Sequence, residues 1–133
     1  MVRWPVFLLV GLGLSVGACG VFTSPNNGVM CTMEFRYGLA VYVKDSVTAA
    51  PAASGATLIA RDGAWADTVS FAAGNASLDG LGLNTAGERA GTYTLTVRKA
   101  GYRDWVKSGV VVTADECHVH PVALTALLVP STP

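Results

Sequence analysis

Charge is scarce in this chain. Only 14% of its 133 residues are Asp, Glu, Lys or Arg, nine basic against nine acidic, and the formal net charge is zero. Nucleic-acid binders concentrate Lys and Arg on one face, so a balance this thin argues against nucleic acid as a partner. Histidine is scarcer still, with two in the whole sequence. Cysteine occurs three times and never as C-x-x-C, so the usual signature of dithiol redox chemistry is missing. The apolar run from Val6 to Val16 is eleven residues long and interrupted by glycine and serine. A permanent transmembrane helix needs ~20. No segment shows convincing amphipathic helical spacing, and the length suits one domain.

What is present begins with a leader. Arg3 precedes Val6-Phe7-Leu8-Leu9-Val10-Gly11-Leu12-Gly13-Leu14, and small residues lead on to Cys19, which is the order of parts in a secretory signal. Val16-Gly17-Ala18-Cys19 resembles the lipobox of bacterial lipoproteins, an aliphatic residue and two small ones before an acceptor cysteine. The resemblance implies cleavage after Ala18, diacylglycerol on the Cys19 sulfur and an acyl chain such as palmitate on the new amino terminus. Several chains anchor far more firmly than one. An ordinary cleaved signal, with Cys19 incidental, is the alternative. In many Gram-negative lipoproteins an aspartate after the cysteine retains the protein at the inner membrane. Gly20 stands there instead, so the expected address is the bacterial cell envelope, lipid-anchored at the outer membrane and facing periplasm or surface. Residues 1–18 then form the signal peptide, 19–28 a lipidated flexible tether and 29–130 the folded domain.

The mature chain keeps 115 residues, with eight basic and nine acidic side chains, and two further cysteines, Cys31 and Cys117. An exported chain enters an oxidising compartment, where pairing is the default. Two free thiols are the alternative. From Cys31 the apolar residues Met33, Phe35, Tyr37, Leu39, Val41 and Val43 share one parity, which predicts a strand, or two in tandem broken near Gly38. Further runs cover 56–61, 65–71, 92–98, 105–113 and 117–128, punctuated by Asp62-Gly63, Gly74-Asn75, Asp79-Gly80, Gly87 and Gly101. Six or seven short strands in about 100 residues predict an all-β, antiparallel Greek-key sandwich. Parity in the 92–98 run turns Tyr93, Leu95 and Val97 inward. Near the C-terminus it turns Cys117 and Val119 inward and His118 and His120 outward. The Gly-, Ala- and Asn-rich segment 72–90 fits no strand pattern well.

Gly91-Thr92-Tyr93-Thr94-Leu95-Thr96-Val97-Arg98-Lys99-Ala100-Gly101-Tyr102 resembles the G-x-Y-x-L-x-V-x-x-x-G-Y signature of carboxypeptidase regulatory-like domains, which are transthyretin-like β-sandwiches. Val43-Lys44-Asp45 and Pro51 to Leu58 resemble that family's opening strand, aspartate turn and second strand. The resemblance covers roughly residues 37 to 128. It implies a tight turn at Gly91, a buried Tyr93 ring with its hydroxyl at the edge, and a chain reversal at Gly101 before Tyr102. Such domains serve folding, spacing or binding, and the peptidase motifs of their enzyme relatives belong to a separate domain that is not carried over.

Few residues offer chemistry. His118-Val119-His120 is a ligand-like pair, since residues two apart on a strand point the same way, and Asp115 and Glu116 stand just before it. Zinc needs three or four convergent ligands, so two surface histidines are the plainer reading. None of Ser46, Ser54, Ser70, Ser77 and Ser108 lies in a nucleophile elbow, and Asp104 and Glu116 are not a catalytic pair by spacing. Gly80-Leu81-Gly82 lacks the context of a phosphate loop. Trp65 and Trp105, with Tyr42 and Tyr102, could form an aromatic platform for a sugar ring or peptide, or could simply fill a small core. The expectation is a non-catalytic, lipid-anchored accessory or binding module for an envelope protein or glycan, with no cofactor beyond the lipid on Cys19. A metal-binding protein using His118 and His120 is the alternative.

Overall fold

A computed structural model describes residues 28–131. The signal peptide, Cys19 and nearly all of the tether lie outside the described residues. Seven strands follow in order: β1 (Tyr37–Asp45), β2 (Thr57–Asp62), β3 (Trp65–Ser70), β4 (Leu83–Gly87), β5 (Gly91–Arg98), β6 (Trp105–Val112) and β7 (Val122–Leu128), with one 3-10 turn at Ala76–Leu78. They form a three-stranded sheet in the order β4-β1-β7 and a four-stranded sheet in the order β3-β2-β5-β6. This is the all-β sandwich that the sequence predicts. Every pairing is antiparallel except β1 with β7, which run parallel from Leu39 opposite Val122 to Asp45 opposite Leu128.

Period-two alternation builds the core. Leu39, Val41 and Val43 of β1 and Leu83 of β4 face Leu58 and Ala60 of β2 and Tyr93, Leu95 and Val97 of β5, all buried in one cluster. Each strand thus gives one face to the apolar layer and the other to water or a neighbour. Gly38 does not break β1. It lies within the strand because Val112 Cγ1 and the Ala86 carbonyl approach so closely that a Cβ would meet them at 2.8 and 2.9 Å. Gly91 likewise serves close approach, to the Asp62 carboxylate and Arg89, rather than the expected tight turn. Gly101 does reverse the chain, at φ +81°.

Two expected strands are shorter than their alternation. Cys31 to Arg36 form no ladder, and Met33 and Phe35 lie exposed although they share the parity of Leu39. Among the described residues no strand receives them, because the pairing with β4 ends at Tyr37 opposite Gly87. The run from Cys117 becomes a ladder only at Val122. Before it, Asp115 to His118 make a turn closed by the Asp115 N–H donating to the His118 carbonyl at 3.1 Å, and Pro121 brings no N–H to a ladder.

The segment without a clear pattern, 72–90, supplies the 3-10 turn and β4. Its buried Leu83 and Thr85 alternate in a strand of five residues, too short to stand out among glycines. Asp45 and Tyr102, drawn from the two halves of the family-like pattern, meet: the Tyr102 hydroxyl donates to Asp45 Oδ2 at 2.8 Å. Asp45 Oδ1 also accepts from the N–H groups of Val47 and Thr48. Those N–H groups and the Tyr102 hydroxyl hold the Asp45 carboxyl below its usual range, with Thr48 the largest contributor.

Candidate functional site

Three clusters gather the polar and aromatic residues outside the core. The first stands at the end of the sandwich where the chain enters. Cys31 and Cys117 are joined by a disulfide, Cα to Cα 5.2 Å, which pins the arm 28–36 to the turn 115–118. The bond lies near the surface, with Cys31 exposed and Cys117 half-buried, rather than inside the core as strand parity implied. Glu88 is the hub. Its Oε1 accepts from the Arg36 N–H at 2.8 Å and contacts His118 Nδ1 at 2.9 Å, while Oε2 accepts from the Val119 N–H at 3.3 Å. Burial pushes the Glu88 carboxyl up, but the Arg36 N–H, His118 and the Val119 N–H together outweigh it and leave the pKa below the ordinary value. Glu88 holds this place at φ +46°, a left-handed conformation unusual for glutamate.

His118 therefore does not face outward. Its side chain is only 10% exposed, and its Nε2 is hydrogen-bonded to the Thr32 hydroxyl at 3.0 Å. His120 is exposed, yet its Nδ1 meets the Thr113 hydroxyl at 3.0 Å and its Nε2 meets Asp115 Oδ2 at 3.2 Å. Both ring nitrogens of both histidines are thus engaged by the protein. Among the described residues no group of three or more His, Cys, Asp or Glu side chains is placed to hold a metal ion.

Thr32, His118 and Glu88 line up as hydroxyl, imidazole and carboxylate, the order of a nucleophile, base and orienting group. An acyl-transfer site also needs free donors aimed at a developing oxyanion. The N–H groups of Arg36 and Val119 already donate to Glu88, and those of Cys117 and His118 to Asp115 Oδ1 at 2.8 and 2.9 Å. Through Thr32, the same three side chains tie the arm to the 115–118 turn and to Glu88.

Those last two bonds make the Asp115 turn pH-sensitive. The N–H groups of His118 and Cys117, then the His120 side chain, bring Asp115 down from 3.8 to about 2. A depressed folded pKa contributes stability that is complete above the unfolded value and disappears as pH falls through the folded one. Amide exchange at Cys117 and His118 should accelerate as pH is lowered from 4 through 2, after correction for intrinsic rates. Asp115→Asn should remove that dependence; an unchanged profile would show that the turn is held by other contacts.

The second cluster contains Trp65, at the start of β3. Its ring packs edge-on against the buried Tyr93 ring at 5.6 Å, and the Arg89 guanidinium lies 4.5 Å from its centroid. Arg89 Nη1 donates to Asp62 Oδ2 at 2.7 Å and to the Tyr93 hydroxyl at 2.9 Å, and that hydroxyl donates to the Arg89 carbonyl at 2.8 Å. Tyr93 thus has the buried ring and edge hydroxyl expected of it. Trp65 closes the end of the core, and Trp105, also half-buried against the core, opens β6 opposite Val97. The two tryptophans sit on the two edge strands of one sheet, while Tyr42 belongs to the other sheet. Trp65, Trp105 and Tyr42 form no common platform, and the fourth candidate, Tyr102, is bonded to Asp45.

Tyr42 does face outward, as parity predicts, and it belongs to the third cluster. It lines a surface groove of about 480 Å³ with Tyr37, Val69, Phe71, Leu81 and Asn84. Gly82 lies flat against its ring: a Cβ there would stand 3.4 Å from Tyr42 Cε1. Among the described residues no charged side chain lines this groove. Residues 80–84 of its lining belong to the glycine-rich segment that fits no strand pattern well. A scan against protein-family models finds no match, and a search of curated proteins finds no similar one.

Proposed function

We propose that the mature chain is a lipid-anchored, non-catalytic binding module of the bacterial cell envelope whose groove at Tyr42 takes a neutral ligand, a glycan in the first instance. The carrying observation is the groove itself: two tyrosines, Phe71 and Leu81 offer apolar surface, and Asn84 offers an amide at the same wall. A sugar ring presents an apolar face and a fringe of hydroxyls, and it asks for this mixture with no charge. The lipobox-like Val16-Gly17-Ala18-Cys19 supports the anchor. The Gly91-to-Tyr102 pattern, joined to the opening aspartate turn by the Asp45–Tyr102 hydrogen bond, supports kinship with carboxypeptidase regulatory-like domains, which act as accessories. The engaged backbone donors around His118 favour a fastening role over catalysis.

Titration of the isotope-labelled protein with envelope glycan fragments should move the amide resonances of Tyr42, Leu81 and Asn84 together and saturably. Tyr42→Ala should weaken that binding at least several-fold while leaving the fold intact, since the side chain is outside the core. Shifts scattered over the surface, or binding indifferent to Tyr42→Ala, would overturn the assignment of the groove.

A further inference from the structure

The described chain opens on apolar side chains that the core leaves out. Val29, Met30, Met33 and Phe35 are all exposed, Met30 at 93% and Phe35 at 62%. The arm that carries them is fixed in place. The Cys31–Cys117 bond holds it at its middle, the Arg36 N–H is bound by Glu88, and the Phe35 ring lies over Gly87 with its edge against Tyr37, centroids 5.1 Å apart. So fastened, the arm holds its methionines away from the sandwich.

A second observation comes from charge. No Asp, Glu, Lys or Arg occurs between Arg3 and Glu34, so the whole stretch from Cys19 to Met33 is neutral. The first charges after it, Glu34 and Arg36, pair with each other at 2.7 Å. The hydrocarbon side of a membrane interface accepts Met, Phe and Val, and a neutral stretch brings no charge that would have to be desolvated there. The third observation is reach. Cys19 stands twelve residues before Cys31, a span of at most about 40 Å when fully extended. With acyl chains on Cys19, this end of the domain is the end kept close to the bilayer.

We propose that Val29, Met30, Met33 and Phe35 form a second membrane contact, which seats the disulfide-pinned end of the sandwich on the lipid surface beside the acyl chains. This rests on the lipid-anchor reading of Cys19. The domain is then held in one orientation instead of swinging on its tether.

Hydroxyl-radical footprinting of the native lipidated chain, reconstituted in vesicles of phosphatidylethanolamine and phosphatidylglycerol, tests this directly. The comparator is the leaderless chain carrying Cys19→Ser, oxidised and free in solution. Met30, Met33 and Phe35 should be labelled several-fold more slowly on vesicles, while Val106 and Val111 on β6, exposed in the free domain, should be labelled equally in both. Equal labelling of the arm in a chain whose Cys19 peptide carries acyl mass overturns the docking and leaves the anchor standing. Absence of that mass overturns the anchor reading and the docking with it. Protection that rises with protein density on the vesicle identifies a second copy as the occupant and also overturns the proposal.

Discussion

Removing the Cys31–Cys117 bridge is expected to cost on the order of 4–5 kcal/mol. The two residues are 86 apart in sequence, so the bond closes a loop almost as long as the domain, and chain-entropy arguments give about this value for such a loop. For a domain of this size that corresponds to a fall in Tm on the order of 20 °C. The source of the loss is distinctive. Neither cysteine belongs to the buried cluster, so Cys31→Ser with Cys117→Ser takes little from the folded packing and acts mainly by freeing the unfolded chain. Denaturant titration should therefore show a lower midpoint and a steeper slope, because the uncrosslinked chain exposes more surface on unfolding. A double variant within 1 kcal/mol of the native protein would show that the arm contributes nothing to closing the domain.

Tyr93→Ala is the second large effect. The ring is fully buried, packs against Trp65 and carries the hydroxyl that joins both the side chain and the carbonyl of Arg89. Truncating a buried aromatic to alanine costs about 3–5 kcal/mol. Tyr93→Phe keeps the ring and should cost about 1 kcal/mol, the ordinary net value of a hydrogen bond. The difference between the two variants separates packing from the hydroxyl. Equilibrium unfolding gives both numbers, and Trp65 reports the site, since its emission should shift to the red only when the Tyr93 ring is gone. Equal losses in the two variants would place the energy in the Arg89 contacts and not in the ring.

The sequence makes the sheets more legible than the site. Tyr93, Leu95 and Val97 alternate cleanly because β5 is flanked on both sides and buries one whole face. The same alternation misleads at Met33 and Phe35. Parity records which side a residue would face if a ladder existed, and their would-be partner strand ends at Gly87. It misleads again at His118, where a turn closed by Asp115 replaces a strand and aims the ring at Glu88. Tyr42 was legible as an outward aromatic, yet the groove around it was not, since part of its lining comes from a glycine-rich segment about 40 residues away in sequence. Glu88 carried no local signal at all, because its importance comes from three segments that only the fold brings together.

The parallel pairing of β1 with β7 has a bearing on how the chain acquires its shape. β1 is the middle strand of its sheet, and one of its two neighbours is the last of the described strands. An emerging chain can zip β2, β3, β5 and β6 as they appear, but the three-stranded layer must wait until Val122 to Leu128 have been delivered. Closing so long a loop is slow, as for any fold dominated by distant pairings. A polypeptide threaded N-terminus first through a narrow channel could thus bring one layer of the sandwich through already paired, while β1 would gain its parallel neighbour only once β7 had passed to the far side.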